Sequence, residues 1–379
     1  MAKVIDLELD QPLLRYSEDG TIAKSLQAKI ASQLFGTSVC TSEKYRTGLE
    51  TYFAHFQKEL NLWSATQQDI AIDTINDFLE LVDHLIKYKD SPRDSAEVLA
   101  FFPTIDSGAV EGQVRKVGDT KIALAKRYPY TTRKAANNAL ELAVGLWLMV
   151  YMGPSDSNIF VGRSHLKWPT GSALNDVVLE AFPKIPQHVA VKGCNFRQGL
   201  NAYNLERIGG FQIKWTSSFK DHLALDEDTG TIVLYHLATV LSLRKQEEGQ
   251  NVFPAGLVDE TCRTLALLLP PFDVRGKQWF IQADKRARGA LDGSAMQQSL
   301  GPRGREIESF EFWHHRLCAI AEAFDGVEPR GFKAWWFDRR SRVQWINFWI
   351  ATTVLFLTIV FGLISSVTGL IQAYISLQQ

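Results

Sequence analysis

Hydrophobic side chains in the first half of the chain recur every three or four residues, which is the spacing of amphipathic helices. The pattern is clear over 42–60 and 65–88, and it returns at about 131–152 and 172–182. Such spacing collects apolar side chains on one helix face, where they pack against a core. The run 142–152 is almost wholly apolar, but 11 residues are too few to cross a membrane, so we expect a buried core helix there.

The apolar pattern becomes shorter and partly alternating across residues 210–237. Two apolar arms flank the segment Asp226–Gly230, whose acidic residues and glycine are typical of a tight turn. We predict a small antiparallel hairpin or sheet here, followed by helices at 236–247 and 255–269.

Residues 284–303 contain several glycines and show little periodicity, so we predict a flexible loop or linker. Helical spacing then returns over 304–325. We expect the apolar face of that helix to dock on the rest of the head or on a partner.

The end of the chain has a different composition from everything before it. Residues 343–379 contain no Asp, Glu, Lys, Arg or His. A helix over 348–370 would be about 34 Å long, which exceeds the roughly 30 Å thickness of a bilayer's hydrocarbon core. We therefore predict a single transmembrane helix. A buried helix of a soluble protein is the alternative, and the one-sided basic residues described next disfavour it.

Basic residues precede this helix and none follows it. Arg330, Lys333, Arg339, Arg340 and Arg342 lie upstream. The positive-inside rule then places the N-terminal head in the cytosol. Because the first residues, 1–14, include no long apolar run, we expect no signal peptide and a tail-anchored arrangement. Aromatic and basic side chains near the span are predicted to lie at the membrane interface; they are Trp335, Trp336, Arg339, Arg340, Arg342, Trp345 and Trp349.

Small side chains line one face of the predicted span. Thr358, Gly362, Ser366 and Gly369 are separated by three or four residues. Such a face lets two helices approach closely, which gives the hypothesis of a homo-oligomer formed through the span. The alternative is that Gly, Ser and Thr are simply common in membrane helices.

These patterns predict a fold class that is mainly α (α+β). A helical cytosolic head with a small antiparallel sheet near 210–237 is followed by the C-terminal transmembrane helix. The predicted segments are a helical region of the head (1–200), an α+β continuation (201–283), the flexible linker (284–303), a membrane-proximal helix with an interfacial segment (304–342) and the transmembrane anchor (343–379).

The charge and the cysteine content of the chain disfavour some classes of protein. The formal net charge is −1 and no long basic run is present, so we expect no nucleic-acid partner. The four cysteines, Cys40, Cys194, Cys262 and Cys318, are far apart. They are therefore expected to be reduced thiols in a cytosolic domain rather than a disulfide framework or a zinc site.

No nucleotide-binding, hydrolase or metalloprotease motif occurs in the chain, and we predict no catalytic, cofactor-binding or metal site. His314 or His315 with Cys318 would make a metal pair, but no third and fourth ligands accompany them. The acidic turn at Asp226 begins like a calcium loop, but Leu237 stands where such a loop needs glutamate.

The C-terminal block resembles the tail of an uncharacterised filamentous-fungal family that has a WWxDRR step followed by an FW-led single-span anchor. The segments IKWTSSFKDHLALDED and PAGLVDETCRTLALLLP resemble the middle region of the same family. The resemblance covers roughly the last 170 residues and implies a fungal, membrane-anchored protein without implying an activity. The matching tail positions are Trp335, Trp336, Asp338, Arg339, Arg340, Phe348, Trp349, Phe361, Gly362, Gly369 and Gln372.

The leading hypothesis is a single-pass, tail-anchored protein whose cytosolic head is a non-enzymatic adaptor for an unknown protein partner. The alternatives are an enzyme or accessory factor of a fungal biosynthetic pathway, or a membrane-active oligomer. A deep pocket that contains two of Asp221, His222 and His236 would favour the enzyme. A broad exposed apolar patch on the helix at 304–325 would favour the adaptor.

Overall fold

The computed structural model describes most of the chain, and every structural statement below refers to the residues it describes. These are 12–13, 22, 24–35, 43–65, 69–102, 132–152, 164–184, 195–245, 252–302, 304–327 and 342–377. Within them the protein is mainly α-helical with one small sheet, as the sequence predicts.

The helices before the sheet are α1 (Lys24–Phe35), α2 (Glu43–Ala65), α3 (Ile75–Lys87), α4 (Ala96–Leu99), α5 (Arg133–Leu148), α6 (Leu174–Ala181) and α7 (Ala202–Arg207). The strands are β1 (Gln212–Thr216), β2 (Leu225–Asp226) and β3 (Thr231–Tyr235). The later helices are α8 (Ala238–Arg244), α9 (Leu257–Leu268), α10 (Val274–Arg286), α11 (His314–Gly326) and α12 (Arg342–Leu377).

Helix α3 begins ten residues later than the predicted start at 65, because Thr74 caps it. The Thr74 hydroxyl accepts a hydrogen bond from the Asp77 amide at 3.2 Å, and the Asp77 carboxylate accepts one from the Thr74 amide at 2.9 Å. This reciprocal capping box satisfies two amides at the helix start that have no partner within the helix. The apolar face of α3 then packs on α1 and α5.

Helix α5 lies at the centre of the core, which confirms that the apolar run after Glu141 is a buried helix. Ala139, Leu140 and Val144 have no exposed surface. The helix ends at Met149, which adopts a left-handed conformation with φ of 56°. One hydrophobic cluster includes α5 and extends along the chain from Leu13 to Phe324.

The sheet contains the predicted hairpin but is mixed rather than antiparallel throughout. β2 and β3 pair antiparallel across the turn that ends at Gly230, where φ is 63°. β1 pairs with β3 in parallel, with Gln212 opposite Thr231. The chain reverses once at the 3₁₀ turn Phe219–Asp221 and again at the hairpin, so β3 returns in the direction of β1 and lies between β1 and β2.

Part of the segment 284–303, predicted to be a flexible linker, is instead packed into the head, around residues 291–296. Helix α10 extends into it, and a 3₁₀ helix, Gly293–Gln297, contacts α2, α8 and α9. Asp292 is 1% exposed, and its carboxylate accepts hydrogen bonds from the Thr239 amide at 2.6 Å and the Ser294 amide at 2.9 Å. The Asp292 carboxylate, together with the buried Leu291, Ala295 and Met296, holds this segment on the head, although the segment has no helical apolar stripe.

Close packing between α2 and α8 depends on Gly48. A Cβ atom at this position would lie 1.8 Å from the Thr239 hydroxyl oxygen and 2.9 Å from the Asp292 carboxylate. Any larger side chain would therefore push α8 and the 284–303 segment away from α2.

The helix predicted over 304–325 begins later than expected, at His314, after a separate 3₁₀ turn, Ile307–Ser309. Its predicted apolar stripe is buried, since Leu317, Ile320 and Phe324 are at most 3% exposed. Helix α11 therefore docks on the head, which is one of the two expected arrangements. The boundaries proposed for the five segments of the chain otherwise stay predictions.

Candidate functional site

Helix α12 is the candidate membrane span. It is one continuous helix of 36 residues, about 54 Å long at about 1.5 Å per residue. Its stretch Ile346–Leu377 contains an 18-residue window with a mean hydropathy of 2.4, and it is long and apolar enough to cross a bilayer. Among the described residues it is the single helix that passes this test.

The apolar surface of α12 extends around the whole helix. Four consecutive residues, Val354–Leu357, are 57%, 62%, 65% and 44% exposed. Since a helix turns once in about 3.6 residues, four consecutive exposed positions point in every direction. A helix that is hydrophobic on all sides needs an apolar surrounding, and the head does not supply one.

Polar side chains of α12 make hydrogen bonds within the helix. The hydroxyl of Thr358 donates to the Val354 carbonyl at 2.9 Å, that of Thr368 to the Ile364 carbonyl at 2.8 Å, and that of Ser376 to the Ala373 carbonyl at 2.9 Å. These hydroxyl groups would need no water in a hydrocarbon environment, where an unsatisfied donor is costly.

The predicted interface residues lie mostly where the structure gives no description. Trp335, Trp336, Arg339 and Arg340 fall outside the described residues, as do the side chains of Arg342 and Trp345. The remaining residue, Trp349, lies in the first third of α12 with its ring centroid 6.1 Å from that of Phe348. An interfacial role for these residues stays a prediction.

The predicted packing face of the span is open in this single chain. A Cβ atom added at Gly362 or Gly369 would meet no other atom within 4 Å, and Thr358 and Ser366 are exposed. Room for a second helix therefore exists on this face, and self-association stays a prediction.

His222 is a fully buried histidine whose two ring nitrogens both have partners. Its Nδ1 accepts a hydrogen bond from the Tyr235 amide at 3.2 Å, and its Nε2 lies 2.7 Å from the hydroxyl of Thr264. The Thr264 hydroxyl itself donates to the Thr261 carbonyl at 2.7 Å, so it accepts from His222. Burial, together with nearby Arg316, lowers the pKa of His222 to about 3. This neutral imidazole joins the sheet to α9.

Of the other two candidates, Asp221 shares the neighbour Arg316 with His222, whereas His236 has a different partner. His236 is 7% exposed, and its Nε2 lies 3.4 Å from the Ser217 hydroxyl. Burial lowers the pKa of His236 to about 4. The Asp221 carboxylate acts on Arg316 instead, where its charge opposes the lowering of the guanidinium pKa by burial. The three side chains do not converge on one cavity.

Glu260 is a buried carboxylate that no pattern in the sequence predicted. It lies on α9 with 2% exposure and accepts hydrogen bonds from three successive amides, those of Glu311 at 2.7 Å, Phe312 at 2.9 Å and Trp313 at 2.7 Å. Burial raises its pKa, and the three amides oppose that rise. The carboxylate therefore binds the residues that lead into α11 and attaches them to α9.

Residues considered for metal binding form no site within the described part of the chain, where no three His, Cys, Asp or Glu side chains cluster. His314 is buried with its Nδ1 3.3 Å from the Ile307 carbonyl, whereas His315 is exposed. Burial raises the pKa of the Cys318 thiol. The Asp226 carboxylate accepts hydrogen bonds from both the amide and the hydroxyl of Thr229, which closes the hairpin turn.

Two surface cavities flank α10, with volumes of about 670 Å³ and 510 Å³. Neither is lined by Asp221, His222 or His236, and α11 presents its apolar face to the core rather than to solvent. The exposed large apolar side chains of the described head occur elsewhere, at Leu179, Phe272, Val274 and Ile281. Comparison with protein-family models, with curated proteins and with solved structures found no significant match.

Proposed function

We propose that this protein is a single-pass, tail-anchored membrane protein whose helical head faces the cytosol and acts as a non-enzymatic adaptor. The observation that carries the proposal is α12, which has no charged residue after Arg342 and exposes apolar side chains on every side. Lipid is the surrounding in which such a helix is stable.

The apolar face of α11, which would have favoured an adaptor had it been exposed, is buried in the head. Support for a non-enzymatic role comes instead from the use that the head makes of its buried ionisable groups. Glu260 and Asp292 bind backbone amides, and His222 bonds a strand amide and a threonine hydroxyl. Each of these groups holds two elements of the head together. The proposal includes an unknown protein partner near the membrane, and it names no process.

Two arginines placed in the span test the anchor. The variant Leu357→Arg with Phe361→Arg places two charges near the helix centre, at a cost of about 2.5–3.5 kcal/mol each by insertion scales. We expect the wild-type chain to stay with membranes after alkaline carbonate extraction and the variant to move into the supernatant. The matched control, Leu357→Ile with Phe361→Leu, should stay with the membranes.

The same variants test whether membrane placement matters to the head. Proximity labelling from the N-terminus should give different neighbours for the wild-type chain and the double-arginine variant, and the same neighbours for the control variant. Wild-type protein in the carbonate supernatant would contradict the anchor, whereas unchanged neighbours would contradict a membrane-dependent adaptor.

A further inference from the structure

The surface around α10 combines exposed apolar side chains with lysines. Phe272 is 96% exposed and Val274 is 69% exposed, directly after the pair Pro270-Pro271. Ile281, two turns along the same helix, is 45% exposed. Phe272 exposes nearly its whole ring, and such an apolar group is more stable at a membrane surface than in water.

Helical spacing places these groups on one outward face. Val274, Lys277, Gln278, Ile281 and Lys285 follow the steps of three and four that form one stripe, and all five are exposed. The opposite side of α10 contains Gly276, Phe280 and Ala283, which are buried against the head. A short helix with apolar and lysine side chains outward is typical of helices that lie in a membrane interface.

The acidic side chains near this face are engaged in other contacts. Asp273 caps α10 by accepting the Arg275 amide at 3.0 Å, and Asp284 accepts the Leu291 amide at 3.0 Å. Glu206 pairs with Arg286 at 3.3 Å. The outward stripe itself carries two lysines and no acid, so its charge complements an anionic surface.

The tether to α12 limits how far the head can lie from a bilayer. Residues 328–341, which separate α11 from α12, number 14, and a chain of that length spans at most about 50 Å. A cavity of about 510 Å³ on the same surface is lined by Lys277, Lys285 and Asp284, and it has space for a lipid headgroup. The Asp284 carboxylate accepts the Leu291 amide, and the two lysines outnumber it.

We propose that the exposed face of α10 lies on anionic phospholipid headgroups of the bilayer that holds α12, with the Phe272 ring inserted at the interface. This inference rests on the proposed membrane anchor. The head would then be held against the membrane by a second contact rather than by its tether alone.

The test uses the full-length chain in lipid nanodiscs that contain a phospholipid with a photoactivatable headgroup. In discs that include phosphatidylserine, we expect cross-linked lipid on peptides of both α10 and α12. The variant Phe272→Ser, Lys277→Gln, Lys285→Gln should reduce cross-linking of α10 at least about tenfold, because each lysine near an anionic surface contributes about fivefold to binding. Cross-linking of α12 should not change.

The matched control, Leu179→Ser, Lys134→Gln, Lys167→Gln, replaces one exposed apolar side chain and two exposed lysines elsewhere on the head, and it should label like the wild type. Cross-linking of α12 without α10 in anionic discs would overturn the inference and leave the anchor intact. Labelling of neither helix would overturn both, and cross-linking of α10 to a second copy of the chain instead of lipid would also overturn the inference. Because the three substituted side chains are exposed, the thermal unfolding temperature should stay unchanged.

Discussion

Several buried polar side chains of the head bond to the ends of helices. Arg244 is 2% exposed and donates to the Trp147 carbonyl, while the Tyr52 hydroxyl donates to the Leu146 carbonyl at 3.3 Å. Both carbonyls lie in the last turn of α5, where no intrahelical amide is available to them. A cation at a helix C-terminus is also favoured by the helix dipole. These side chains therefore stabilise the central helix of the core.

The two buried histidines predict how stability depends on pH. Their folded pKa values, about 3 for His222 and about 4 for His236, lie below the ordinary histidine value of 6.5. The unfolded chain therefore binds more protons as pH falls below about 6.5. We expect the free energy of unfolding to decrease by up to about 1.4 kcal/mol per pH unit for each histidine in that range.

Urea unfolding followed by tryptophan fluorescence at pH 7.5 and pH 5.5 measures this dependence. The variant His236→Gln should reduce the difference between the two pH values, and His222→Gln should do the same even if its stability is lower at both. His315→Gln, which changes an exposed histidine, is the control and should leave the difference unchanged. Equal pH dependence in all four proteins would contradict the structural assignment.

At the scale of elements, carboxylates that come from distant parts of the chain hold α8 and α11 in place. Asp292 binds the Thr239 amide at the start of α8, and Glu260 binds the three amides before α11. The amino end of a helix attracts negative charge, since its first amides have no partner within the helix. Each carboxylate thus determines where a helix begins and which element it packs against.

Removal of the Glu260 carboxylate should loosen α11. The variant Glu260→Ala leaves three backbone amides without their acceptor, and we expect a loss of about 3 kcal/mol or more in the free energy of unfolding. Asp259→Ala is the adjacent control, because that carboxylate is half exposed and pairs with Lys245 on the surface. Its loss should be about 1 kcal/mol or less. Chemical denaturation of both variants measures the difference, and similar losses would refute the role of Glu260.

At the scale of the whole molecule, the charges around α12 predict its orientation. Five basic residues lie between 330 and 342, and none follows the helix. From the positive-inside rule we therefore expect the proposed cytosolic head and a C-terminus on the opposite side of the membrane.

Glycosylation tags test this orientation, since the chain has no Asn-x-Ser/Thr acceptor of its own. In a microsome insertion assay, a tag with one acceptor fused after Gln379 should gain a glycan, whereas the same tag before Met1 should not. An acceptor changed to Gln-x-Thr serves as the control for the C-terminal tag. Glycosylation of the N-terminal tag would reverse the predicted orientation.

Local sequence was sufficient for features that depend on neighbouring residues. The 3.6-residue period predicted α2, α5 and α9 because an amphipathic or apolar pattern repeats within each helix. The candidate span was predictable for the same reason, since suitability for lipid depends on length and on the absence of charge along one segment. The hairpin at Asp226–Gly230 was predictable from its turn residues.

Tertiary structure decided what depends on residues far apart in the chain. Three features need a partner that no local pattern predicts. They are the parallel pairing of β1 with β3, the burial of Asp292 in a glycine-containing segment, and the bonds from Glu260 to residues 311–313. The exposure of Phe272 is decided in the same way, because an apolar residue becomes a surface feature only when nothing folds over it. Composition and periodicity therefore determine the helices and the span, while long-range contacts determine which polar groups are buried and which apolar ones face outward.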